Sequence, residues 1–390
     1  HLFPEGVYMS NGPLGSAFPQ SQGLALAEKI AGTNRTTICT LSDGAAMEGE
    51  AKEAMAAIPG LAAKGKCAPF VLLVTDNNTK LSGRIDQDAF SMSPTFQALE
   101  TLGWKVLKLE QGNDLLACIS TIELALQLAK VNPAQPVAVW AKTIKGIGTK
   151  KTAESASGGH GFPCKSPTEL HAFVSEIYGT EDYPTEFKKW IEELIQLEIK
   201  IKSEAQPDTG EKIQKGIAKA MTNAVKKGLP VFSVTSDLPG STGVADFRKE
   251  FPNHSLDVGV AESNMISVAA GLSKQGFIPV VDTFAQFGVT KGALPITMAN
   301  LSEAPVIAVF SGFQDAADGA SHQALSYMSM LATIPHVDLY SLSSSEEAEH
   351  ILNAVIEKFA ADKKAGHSAK TSVFFLGREN FPKSFKTDKN

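Results

Sequence analysis

The chain has 390 residues, 43% of them hydrophobic, enough to bury a large core and to divide into two domains. A formal charge of −6 and a pI near 5.8 argue against nucleic acid or an anionic membrane surface as partner. Cys39, Cys67, Cys118 and Cys164 show no CxxC spacing, no run approaches ~18 apolar residues and no signal-peptide pattern is present, so reduced thiols and a cytoplasmic location are expected.

In chain order, short β-branched runs alternate with amphipathic helical stretches, the pattern of a parallel α/β sheet. Strands are predicted at 36–41 (TTICTL), 69–75 (PFVLLVT) and 136–142 (PVAVWAK), and helices at about 49–64 and 113–130. The charged, glycine-free stretch 185–208 has helical period and reads as a helix crossing between domains, its Trp190, Ile191 and Leu194 stripe serving packing. The alternation then restarts, with strands at 230–236, 254–261, 277–284, 304–311, 337–342 and 370–377 and helices at 262–274 and 344–361. The expected fold is α/β, with two doubly wound parallel-sheet domains over 1–180 and 209–383. A helical linker over 181–208 joins them, and a tail follows over 384–390.

Open parallel sheets gather ligands at the carboxyl ends of their strands. Asp43, in LSDGAAMEGE, ends the first predicted strand, and Asn78, in TDNNTKLSG, ends the second, 35 positions on. An aspartate and a glycine at such a turn serve as an ordinary helix cap in most proteins. Joined by an asparagine at a neighbouring strand end, they also suit a metal–phosphate site. Mg²⁺ takes oxygen ligands, commonly one or two carboxylates plus phosphate oxygens. Asp43, the Asn78 amide oxygen and a main-chain carbonyl near Lys80 would leave room for phosphates and water. Gly44 and the helix N-terminus after it favour an anion. On these residues alone both readings stay open.

The pairing resembles the thiamine diphosphate motif, Gly-Asp-Gly followed about 30 residues later by Asn, in its transketolase form. NGPLGSAF (11–18) is similar to the family's glycine turn, which implies diphosphate contacts from Gly12 and Leu14. AMEGE places Glu48 at the family's dimer-contact glutamate, AKTIKG (141–146) places Lys145 near the diphosphate, and GGHGFP (158–163) implies that His160 faces cofactor and substrate. VGVAESNMISVAAGL (258–272) makes Glu262 the glutamate against the aminopyrimidine ring, and DTFAQF (282–287) offers Phe284 and Phe287 as the pyrimidine pocket. TSDLPGS (235–241) resembles a loop bringing Asp237 to the cofactor and Ser241 to the substrate. DGASHQAL (318–325) gives Asp318 and His322 to the substrate, and GRENFP (377–382) offers Arg378 for a substrate anion. His1 stands in the place of a further substrate histidine upstream of the glycine turn.

The resemblance implies thiamine diphosphate and Mg²⁺ (or Ca²⁺ or Mn²⁺), with Asp43, Asn78 and Lys80 as metal ligands. It implies a homodimer with its active sites at the interface, where Glu48 and Glu262 meet. The activity implied is transfer of a two-carbon ketol unit from a ketose to an aldose through a cofactor carbanion. Glu262, set among Val258, Val260 and Met265, would hold a raised pKa and share a proton with the ring. His160 and His322 would hydrogen-bond sugar hydroxyls and move protons.

Four departures qualify this. Ser42 replaces the leading glycine of Gly-Asp-Gly. The chain begins where transketolases have spent about a hundred residues, so further active-site histidines are expected to be absent or carried elsewhere. It stops soon after Arg378, without the family's third domain. Gln214 stands where an arginine is usual, and Phe313-Gln314 where a histidine is usual. A phosphate dianion normally demands several charge-assisted donors, so unphosphorylated sugars or another anion come into view. Two alternatives remain beside the transketolase reading: an acyloin-forming lyase resembling 1-deoxyxylulose-phosphate synthase, and a catalytically silent subunit.

Overall fold

The computed structural model describes residues 6–33, 35–161, 164–204, 210–313, 319, 321–322 and 327–382. Among the described residues ten strands form two sheets, all of whose pairings are parallel. The first sheet has the order β1-β2-β4-β3, with β1 at Thr37–Ser42, β2 at Phe70–Asp76, β3 at Lys105–Leu109 and β4 at Val137–Lys142. The second has the order β6-β5-β7-β8-β10-β9, where β5 is Val231–Thr235, β6 Ser255–Asp257, β7 Ile278–Phe284, β8 Ile307–Ser311, β9 Val337–Ser341 and β10 Thr371–Leu376. Two doubly wound α/β sheets are what the alternation of strands and helices predicts. Among the described residues no helix is long and apolar enough to cross a membrane.

The central strands are buried on both faces, as parallel strands flanked by helices must be. Every residue of β7, β8 and β10 is buried. In the first sheet an aromatic group anchors the packing: Trp104 meets Phe18 and Phe70 with ring centres 6.3 and 5.9 Å away, and its indole N–H donates to the Met55 carbonyl at 2.8 Å. In the second, the helices Gln214–Lys226 and Ser345–Lys364 lie together over one face, contributing Ile217, Met221, Leu352 and Ile356 to a single cluster.

Three elements differ from the sequence reading. β3 is absent from it because KVLKL alternates lysine with apolar residues and belongs to a sheet edge, where charge is tolerated. The strand expected over 254–261 ends at Asp257, where the chain turns: Asp257 Oδ1 accepts from the Gly259 amide at 2.8 Å and Gly259 takes φ +75°. The connecting helix runs Thr185–Glu204, and the remainder of its expected span lies outside the described residues. Its stripe divides, with Ile191 buried against Val174 and Tyr183 while Trp190 is about half exposed at 48%.

A carboxylate lies inside the second sheet. Asp282, on β7, is fully buried, and its Oδ2 accepts from the hydroxyls of Thr235 and Thr242, both at 2.7 Å. Its Oδ1 has no hydrogen-bond partner among the described residues. Burial pushes its pKa up to about 6, the two threonines and Arg248 opposing. Because the native value exceeds the ordinary 3.8, the native state binds more protons between those limits, and stability falls as pH rises through them. The full span costs roughly 3 kcal/mol at neutral pH. Asp282→Asn is therefore expected to match the parent near pH 4 and to exceed it by roughly 1–3 kcal/mol at pH 8. Urea unfolding at the two pH values checks this, and equal stabilities at pH 8 would refute it.

Candidate active site between the two sheets

The carboxyl ends of the two sheets face each other. Asp43 and Asn77 follow β1 and β2, Lys145 follows β4, Ser236 and Asp237 follow β5, and Phe284 ends β7. A cavity of ≈ 240 Å³ lies between them, walled by residues of both domains, including Gly12, Leu14, Lys145 and His160 from the first and Glu262 and Phe287 from the second.

On the first sheet, Asp43 is fully buried. Its carboxylate accepts from the amides of Gly44, Asn77 and Asn78 at 2.9, 2.8 and 2.5 Å. Burial nevertheless holds its pKa up at about 6, with Asp76 adding to the rise. The substituted Ser42 fits here: its hydroxyl accepts from the Ala45 amide at 3.1 Å and so caps the turn that a glycine would leave bare. Asn78 sits at φ +56°, a left-handed conformation that asparagine tolerates. Its amide group turns to Asp86, donating to Oδ1 at 2.6 Å and accepting from the Asp86 amide at 3.0 Å. Asp43 and Asn78 are thus joined through the Asn78 backbone.

Lys80 carries the larger surprise. Expected only for its carbonyl, it sends a side chain just 1% exposed into the second domain, where Nζ lies 2.9 Å from Asp237 and 3.0 Å from Asp257. Asp88 of its own domain is 3.2 Å away. Asp237, at φ +65°, also accepts from the Leu81 and Ser82 amides at 2.8 and 3.0 Å. Burial opposes the ammonium, but the two second-domain aspartates outweigh it and raise its pKa. Lys145 and His160 form a second polar pair, Nζ to Nδ1 3.0 Å. Burial lowers both pKa values, and the Lys145 charge adds to the lowering of His160.

Glu262 opens the helix Glu262–Lys274 and is 3% exposed, and its Oε2 has no hydrogen-bond partner among the described residues. Glu48 lies beside it, and the Lys291 ammonium donates to Glu48 Oε1. The sequence reading puts Glu48 and Glu262 on opposite sides of a subunit interface. Within the single chain the two carboxyls lie side by side, where strand ends of the second domain face those of the first. Gly15 permits the contact, since a Cβ there would sit 2.5 Å from Glu48 Cβ and its φ is +87°.

Phe284 and Phe287 meet the His322 ring edge to face, 5.8 and 5.1 Å between centres, and the Arg378 guanidinium stands 5.0 Å over Phe284. Ser241 and Arg378 line a second, larger cleft of ≈ 1050 Å³. Gln214, in the place of the usual arginine, is buried there, with Nε2 donating to Ser311 Oγ at 3.1 Å and the Gly377 carbonyl at 2.9 Å. Phe313 packs on Phe375 at 4.9 Å as a core residue. His1, Asp318 and Gln314 lie outside the described residues. Sequence reasoning missed Lys291, Asp257 and the Lys80 side chain. A lysine between apolar runs, as in FGVTKGAL, carries no periodic signal of its partners.

Residues 3–227 match the family described as transketolase, thiamine diphosphate binding domain, and residues 211–382 the transketolase pyrimidine binding domain. The chain belongs to the transketolase family. It is 23% identical to transketolase 1 of Escherichia coli (strain K12), covering 99% of this chain and 64% of that protein. Against the transketolase of Bacillus subtilis (strain 168) identity is 28%, covering 88% of this chain and 58% of the other. Against 1-deoxy-D-xylulose-5-phosphate synthase of Clostridium botulinum (strain Alaska E43 / Type E3) it is 22%, covering 90% and 57%. The chain therefore spans less than two thirds of the length of these relatives.

The Lys80 cluster generates a stability prediction. Removing one partner from a buried ion pair leaves an uncompensated charge, at a cost of roughly 3–5 kcal/mol. Lys80→Met is expected to destabilise by that amount, and Asp237→Asn added to it to recover part of the loss, as read by chemical unfolding. A loss of about 1 kcal/mol or less would place the lysine with solvent-exposed pairs instead.

Proposed function

We propose that this transketolase-family chain binds thiamine diphosphate with Mg²⁺ and transfers a two-carbon ketol unit from a ketose to an aldose. The observation that carries this is Glu262, buried beside Glu48 at the wall of a cavity that both domains enclose. A carboxyl in such a setting, able to share a proton, is what a pyrimidine ring nitrogen requires. When bound, the cofactor supplies the electron sink for breaking and forming the carbon–carbon bond.

The chain's own residues divide the remaining work. Gly12, Leu14, Gly44, Lys145 and Asp237 would hold the diphosphate end, and Phe284 and Phe287 the pyrimidine. Asp43, the Asn78 amide and the Lys80 carbonyl would supply the oxygen donors that a hard cation takes. Their use requires the Asn78 amide to leave Asp86. His160 and His322 are assigned to protons on sugar hydroxyls, and Ser241 and Arg378 to the far end of the sugar. Gln214 is held by Ser311 and Gly377, while Lys212, Lys215 and Lys219 line the same cleft as Arg378 and supply cationic donors for a terminal anion. The proposed substrates are ketose and aldose sugars, with or without a terminal phosphate. A homodimer is proposed as the working state.

Glu262→Ala is expected to lower ketol transfer by about 10²–10⁴-fold while circular dichroism shows the fold unchanged; near-normal turnover would rule the mechanism out. Calorimetry of the parent with thiamine diphosphate and Mg²⁺ is expected to show saturable binding, and no heat of binding would favour a silent subunit. Release of carbon dioxide from pyruvate would point instead to the acyloin-forming reaction named for the Clostridium botulinum relative.

A further inference from the structure

Lys291 follows the short helix Ala285–Thr290, and its side chain enters the gap between the domains with 13% exposure. The ammonium donates to Glu48 Oε1 and, at 3.1 Å, to the Leu14 carbonyl. It lies 3.8 Å from Glu262 Oε2 and 6.0 Å from the centre of the Phe287 ring. Its own backbone is fixed, because Ser263 Oγ donates to the Lys291 carbonyl at 2.6 Å. One lysine thus touches both carboxyls and the glycine turn at once.

The cavity that Glu48 and Glu262 line also carries Lys80, Lys145, His160, Asp237 and His322. The helix Gly49–Ala63 and the residue before it bring Glu48, with Glu50, Lys52 and Glu53 along an adjoining groove. The helix Glu262–Lys274 brings Glu262, and the segment after Thr290 brings Lys291 itself. The turn at Leu14 and the stretch 258–261 present no ionisable side chain. Two buried carboxyls in contact cannot both ionise cheaply, and Glu48 holds its proton above the ordinary range because of burial and the neighbouring Glu262. A fixed cation against the pair favours its ionised form and loosens that proton.

We infer that Lys291 is a positioning residue that sets how tightly Glu48, packed beside Glu262, holds its proton. The inference rests on the reading above for its consequence, since a carboxyl able to share a proton is what a ring nitrogen in the cavity requires. It does not rest on it for its physics. Burial, then the neighbouring Glu262, drive Glu48 up to about 8, and Lys291 pulls the other way. Without the ammonium Glu48 keeps its proton to higher pH. A lysine acting only as a strut between domains would change stability without moving this titration.

The test uses the full chain without added cofactor. The infrared carbonyl band of the protonated carboxyl is followed against pH and assigned by its loss in Glu48→Gln. In the parent the band is expected to fade near pH 8. In Lys291→Met its midpoint is expected to rise by about one pH unit or more, a tenfold tighter hold on the proton. Lys291→Arg is expected to follow the parent. An unchanged or lowered midpoint in Lys291→Met overturns the inference, and Lys291→Gln gives the same reading if the methionine variant does not fold. Calorimetry with thiamine diphosphate and Mg²⁺ tests the functional reading separately. A parent that binds nothing removes that reading while the infrared midpoints still decide the role of Lys291.

Discussion

The burial of Lys80 among acids of the opposite domain governs the rest of the structure. Parallel sheets collect polar groups at their carboxyl ends, so bringing two such ends together buries charge from both sides. Asp237 and Asp257 would repel each other and be costly to desolvate; with a lysine between them they hold the gap closed. An apolar contact reinforces the closure. Val260 of the second domain packs into the first-domain core, and Met47 approaches Gly259 so closely that a Cβ there would lie 1.9 Å from its methyl carbon. The candidate site is the space that these contacts leave.

Two conformations at the cavity carry backbone strain with a purpose. Asn78 and Asp237 both take positive φ, at 56° and 65°, and both residue types tolerate it. At Asn78 the twist aims the backbone N–H at Asp43. At Asp237 it directs the carboxylate at Lys80 and at two amides of the facing loop. Strain of this kind persists where the surroundings over-determine it, and here the surroundings are the facing sheet ends.

Much of this was legible in the sequence because its signals are local. The runs TTICTL and PFVLLVT announce buried strands, and the Asp-Gly turn after the first marks the carboxyl end of its strand. The chemical identities of Glu48, Glu262 and Phe284 come from motifs a few residues long. What stayed hidden is long-range. Lys80 and Asp237 are separated by 157 positions and Lys291 and Glu48 by 243, and no periodicity links them. The edge strand KVLKL escaped for the opposite reason, its lysines masking a short β pattern. Gln214 reads as a lost arginine, yet the structure gives it a positive role, tying Ser311 to the Gly377 carbonyl where β8 and β10 end.

The glutamate pair meeting inside one chain follows from the same closure. The surfaces that meet are a first domain and a second domain, and a second copy offers the identical pair of surfaces. Exchange between copies would preserve every contact at the gap: Lys80 with its aspartates, Lys291 with its glutamates, Val260 in its apolar seat. Opening without exchange would instead strand Lys80, buried, and Lys291, largely so, together with four buried carboxylates. Paired charges from both domains thus close the gap around a cavity whose lining is largely apolar, with Leu14, Val260, Phe284 and Phe287 among its walls.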